Sequence, residues 1–65
     1  GIYMWMVVYL SANRDNAEKL IKVLDANQII SRLRGTSGGQ DCFEALVPQR
    51  ELAQAQNLII DNNLF

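Results

Sequence analysis

Hydrophobic side chains fall along this chain in two rhythms, and each predicts a different element. Met4-Trp5-Met6-Val7-Val8-Tyr9-Leu10 is a continuous apolar run rich in aromatic and β-branched residues, which predicts a strand buried on both faces. Ser11-Ala12-Asn13 breaks the run, and Asp15 followed by Glu18 has the spacing of a capping box, with Asn13 a competing N-cap. Ala17, Leu20, Ile21 and Leu24 then recur at helical spacing, leaving Glu18, Lys19, Lys22 and Asp25 toward water. Asn27, which tolerates a left-handed backbone, is expected to end this helix. From Ile29 to Arg34 the period returns to alternation, with Ile29 and Leu33 on one face and Ile30, Arg32 and Arg34 on the other. Cys42 to Val47 predicts a third strand, setting Phe43, Ala45 and Val47 opposite Cys42, Glu44 and Leu46. Pro48 suits the junction to a second helix, expected from about Gln49 to Asn62, whose apolar stripe is Leu52, Ala55 and Ile59 flanked by Ala53 and Ile60.

These elements predict an α+β fold. A right-handed crossover makes the first two strands parallel and places the helix on one face. The hairpin then lays the third strand between them. The result is a β-α-β-β-α ferredoxin-like sandwich: a three-stranded, mostly antiparallel sheet with both helices on one face, one strand short of the full pattern. Alternation along the first strand sets Met4, Met6, Val8 and Leu10 against Tyr3, Trp5, Val7 and Tyr9, so one row lies bare in a monomer. Trp5, Val7 and Tyr9 are the expected interface residues. Covering several hundred Å² at roughly 25 cal/mol per Å² amounts to several kcal/mol, comparable with the whole stability of a small domain. A second copy, in a homodimer or higher homo-oligomer, or another protein partner is the expected cover. Face-to-face and edge-to-edge association both satisfy this, since the missing strand leaves an apolar edge. The competing expectation is that Asn63-Leu64-Phe65 folds back along that edge or face.

Composition narrows the choice. Sixty-five residues read as a single domain, 1–65, and so short a chain buries only about 60% of its unfolded surface. Gly1 to Tyr3 precede the first methionine and read as an expression scar or a trimmed start. With Cys42 alone and no histidine, neither an internal disulfide nor a structural zinc site is expected, which leaves association as the stabilising device. Six Lys or Arg against seven Asp or Glu give no basic footprint, so nucleic acid is not an expected partner. The longest apolar run is too short for a bilayer and lacks the flanks of a signal peptide, so no membrane partner is expected and the location read is cytoplasmic.

Met4-Trp5-x-Val7-Val8-Tyr9, the segment Asn13 to Leu24 with its Ala-Glu-x-Leu-Ile core, and Leu46-Val47-Pro48 opening an Ala-rich last helix resemble a family of short bacterial signal-transducing proteins of unknown function. The resemblance covers nearly the whole chain. It implies a ferredoxin-like fold related to the PII nitrogen-signalling proteins, whose domains assemble through their sheets, and carries over no catalytic residue. The large nucleotide-binding loop and final strand of the longer PII proteins have no counterpart here.

Candidate chemistry is sparse. The loop Gly35 to Asp41, with Gly38 and Gly39 and the flanking Arg32 and Arg34, is the place for an anion, cradled by backbone N–H groups and two guanidinium donors. A plain hairpin loop is the simpler account, because neither the Walker nor the dinucleotide glycine pattern occurs. Cys42 lacks a histidine base and reads as an inert strand cysteine. Glu44 is expected to pair with Arg32 or Arg34 across the hairpin. Asp15, Glu18, Asp25, Glu51 and Asp61 read as caps and solvated faces, and Lys19 and Lys22 as surface charges, so no acid–base pair, cofactor or metal site is expected and the chain is not read as an enzyme. Trp5 and Tyr9 on one strand face resemble the stacking platform of sheet-type RNA binders, but the third strand offers one aromatic and an acid where such domains carry several aromatics. The leading expectation is therefore a self-associating regulatory or adaptor module. A small-ligand sensor built on the glycine loop comes second, and an enzyme third.

Overall fold

A computed structural model describes residues 4–36 and 42–64. Along the chain run β1 (Trp5–Ser11), α1 (Arg14–Ala26), β2 (Arg32–Thr36), β3 (Cys42–Pro48), a short 3-10 turn (Gln49–Glu51) and α2 (Leu52–Asp61). The sheet has the order β1-β3-β2, and β3 is antiparallel to both neighbours, so β1 and β2 are parallel with α1 connecting them. This is an α+β domain with a three-stranded antiparallel sheet and two helices, and β3 lies in the middle as expected.

Alternation along β3 sorts the two faces. Ala45 and Val47 are fully buried and share one cluster with Leu20 and Leu24 of α1, Ala55 and Ile59 of α2, and Ile29. Both helices therefore bury their stripes on the face of Ala45 and Val47. The small side chains Ala45 and Ala55 let backbone layers approach closely, and Ala17 does the same on α1. On α2 the predicted stripe holds for Ala55 and Ile59, whereas Ala53 and Ile60 are exposed and Leu58, not foreseen, packs on the cluster.

Helix ends show why some boundaries moved. At the start of α1 the cap is Asn13, whose Oδ1 accepts from the Asp15 N–H at 2.8 Å; Glu18, instead of closing a capping box, takes the Arg14 Nε at 2.9 Å one turn away. At its end the left-handed residue is Gln28, φ 63°, one position later than Asn27. The Gln28 N–H donates to the Asp25 carbonyl at 3.0 Å and the Ile29 N–H to the Leu24 carbonyl at 2.9 Å, a Schellman motif. Ile29 then docks in the core beside Leu24 instead of opening β2. That is the physical reason β2 starts at Arg32, three residues after the predicted Ile29. α2 ends in the same way: Asn63 has φ 53°, and its N–H and that of Leu64 donate to Ile60 and Ile59 at 3.2 and 2.9 Å. Asn27 and Asn62 even make equivalent bonds, each Nδ2 donating to the carbonyl one turn back at 2.8 Å. Leu64 thereby folds against the helix-side core, not over the opposite sheet face; Phe65 lies outside the described residues.

Pro48 ends the central strand fully buried. The Gln49 N–H donates to the Met4 carbonyl at 2.8 Å, so the nitrogen of Pro48, one residue earlier, points toward the β2 side. There the first β2 pair is Arg32 with Leu46, and a ladder donor from Pro48 is not required.

The left-handed turns generate a stability prediction. Gln28 holds a backbone conformation unfavourable for a long side chain, so Gln28→Gly is expected to raise stability by about 0.5–1 kcal/mol, and Asn63→Gly by less because Asn tolerates this region. Urea unfolding of both variants measures the difference.

Candidate functional site

The face away from the helices carries the residues on which a function can rest. Its layout follows from the strand register. Leu46 lies between Val7 of β1 and Arg32 of β2, and Glu44 between Leu10 and Arg34; Pro48 pairs with Trp5, and Cys42 with Thr36. An apolar column thus runs along β1, Trp5-Val7-Leu10, and a polar one along β2, Arg32-Arg34-Thr36.

Tyr9 is missing from that column, and its absence corrects the expected grouping of Trp5, Val7 and Tyr9. Val7 pairs with Leu46 but Tyr9 pairs with the next residue, Ala45, leaving Val8 as the extra residue of a β-bulge. A bulge of one residue shifts the parity of everything after it. Tyr9 therefore lies on the helix side, packed with Val8 against the core cluster, and Leu10 moves to the open face in its place. The bulge also separates the aromatic pair that resembled an RNA-stacking platform.

Val7 and Leu10 are 44% and 61% exposed. Trp5 is half-buried, with the Arg32 guanidinium 4.3 Å from the centroid of its ring. The two side chains come from the outer strands and meet across the column of β3, where Leu46 is 6% exposed. Cation and ring thus form a bridge across the sheet face. Arg34 Nε donates to Glu44 Oε1 at 2.9 Å, the predicted cross-hairpin pair. The Thr36 hydroxyl donates to the Cys42 carbonyl at 3.2 Å, and Cys42 is a half-buried free thiol on the same face.

For the expected anion site, Arg32 and Arg34 do share a face, but one guanidinium lies on Trp5 and the other pairs with Glu44. Gly38 and Gly39 lie outside the described residues. Among the described residues no three His, Cys, Asp or Glu side chains gather into a metal-holding group, and no helix is long and apolar enough to cross a membrane. The exposed Leu10 is the open-face residue that alternation missed; a single extra β-residue leaves no signature in an unbroken apolar run.

Two polar contacts on this face are each expected to contribute no more than about 1 kcal/mol. The Arg34–Glu44 pair has side chains 59% and 17% exposed and is expected to contribute under about 1 kcal/mol in a double-mutant cycle with Arg34→Ala and Glu44→Ala. The Trp5–Arg32 contact is expected to contribute about 0.5–1 kcal/mol, retained less well by Arg32→Lys than the charge alone implies. Denaturation followed by the fluorescence of Trp5, the single tryptophan, reads both.

Compared with family models, with curated proteins and with solved structures, the chain matches none.

Proposed function

We propose that this chain is a self-associating regulatory or adaptor module that works by presenting the β1 side of its sheet to a second copy. The observation that carries the reading is the apolar column of Trp5, Val7 and Leu10 beside a strand edge, with Val7 and Leu10 substantially exposed. Apolar residues placed together on the rim of a sheet mark an interaction surface more than scattered exposed residues do. In so small a domain their burial is a large share of the available stabilisation. The signal-transducing family resemblance supports the same reading, as does treating the β-α-β-β-α order as a ferredoxin-like, PII-like arrangement. In this reading the regulatory output is association itself, set by local concentration and by whatever else competes for the surface. The anion-sensor reading draws no added support from the geometry, because the two arginines already have partners on the same face.

Light scattering over a wide concentration range is expected to show a mass rising from that of one chain toward two. Leu10→Asp and Val7→Lys alter exposed positions, so both are expected to keep the thermal melt of the monomer while shifting the association to higher concentration by at least about tenfold. A mass of one chain at every concentration overturns the reading.

A further inference from the structure

The Val8 bulge has an effect on the outer edge of β1 as well as on its faces. Hydrogen-bonding directions alternate along a strand. Met4 accepts from Gln49 of the 3-10 turn, on the β3 side, so Met6, and after the bulge Tyr9 and Ser11, also direct their backbone groups toward β3. Val7 and Leu10 direct theirs outward. In a regular strand the outward residues recur every second position, but here they are three apart. An incoming strand of uniform spacing takes both only by closing over the extra residue, as β3 does between Met6 and Tyr9. A second copy of β1 run antiparallel matches both, because it carries the same interval: Val7 meets the partner's Leu10, Leu10 meets the partner's Val7, and a two-fold axis passes between Val8 and Tyr9.

The apolar surface is distributed to fit such a strand. Of five exposed large hydrophobic residues among those described, Met4, Val7 and Leu10 belong to β1 or its start, at 62%, 44% and 61% exposure. A fourth, Ile60 at 60%, belongs to α2, which packs over β1 and β3, while α1 reaches all three strands. On α2 Leu58 turns inward to the core cluster, and Ile60, two positions further along the helix and so on its opposite side, is exposed. Together these four expose on the order of 400 Å², about half of the ~800 Å² per partner in a standard interface, with strand backbone and neighbouring polar atoms to supply the rest. Charge favours this edge too. β1 carries no charged side chain, whereas symmetric pairing at β2 sets Arg32 and Arg34 of two copies side by side.

We infer that two copies join edge to edge through β1, forming one six-stranded sheet in which Val7 of each chain lies opposite Leu10 of the other and the α2 flanks bearing Ile60 face each other. This rests on the self-association reading and specifies its geometry. The dimer is of modest area and therefore concentration-dependent.

Cysteine trapping tests it in the full chain with Cys42→Ser. Chains carrying Val7→Cys mixed with chains carrying Leu10→Cys are expected to form a disulfide-linked pair faster than either chain with itself. Val7→Pro removes an outward N–H without touching the β1–β3 ladder, and is expected to weaken the dimer at least about tenfold by sedimentation. Circular dichroism of that variant verifies the fold, and the cysteine pair decides the matter if the proline variant unfolds. A dimer of the unaltered chain that shows no preference for the mixed disulfide overturns edge docking and leaves self-association standing; a chain that is monomeric throughout overturns both.

Discussion

The structure depends on the fit of β3 beneath two helices. Ala45 and Val47 present a shallow surface, and Leu20, Leu24, Ala55 and Ile59 close over it with no buried polar side chain among the described residues. Because β3 is central, Phe43, Glu44, Ala45 and Leu46 are each paired on both sides, so the same short stretch sets the registers of both β1 and β2. Small residues in the middle layer are what allow so short a chain to hold two helices on one sheet face. The cost is that no helix of the described chain covers the other face, where Val7 and Leu10 stay exposed.

That imbalance connects the fold to the proposed association. A monomer of this size has little stability in reserve. The open face is partly closed from within, since Arg32 lying on Trp5 spans the column of Leu46, and Arg34 neutralises Glu44. These contacts lie toward β2. Toward β1 the chain offers only hydrocarbon at Val7 and Leu10, so the polarity of the surface is graded from one edge to the other. The proposed association relies on this asymmetry, which distinguishes one side of the sheet from the other.

The legible parts of the fold were those carried by composition and period. The stripe Ala17-Leu20-Leu24 reflects burial directly, and the β1 run and the two faces of Cys42 to Val47 lie where the pattern placed them. The expected burial of β1 on both faces does not hold: Val7 and Leu10 are exposed and the rest of the strand is only half-buried, because no helix packs on their side of the sheet. The Arg34–Glu44 pair was legible because cross-strand neighbours follow from a hairpin. What escaped was geometry with no distinctive residue type. An extra residue between Val7 and Tyr9 is invisible in a segment where both faces are apolar, yet it exchanges the places of Tyr9 and Leu10. The left-handed residue at the end of α1 is Gln28 beside a more favourable Asn27, so side-chain preference pointed one position early and Ile29 was assigned to a strand when it belongs to a helix cap.

Pro48 has a consequence for how the sheet can grow. With no N–H on the side where β2 would continue backward from Arg32, it withholds the donor that the segment around Ile30 would need to join the ladder. The β2–β3 ladder therefore ends at Leu46, and the stretch from Ile29 to Ser31 connects helix to strand without joining it. A slip of the hairpin by two residues, which would preserve the inside-outside pattern and so escape a hydrophobic penalty, meets this barrier instead. One ring at the strand terminus thus acts as a ratchet stop on register, a guard that side-chain patterning alone does not provide.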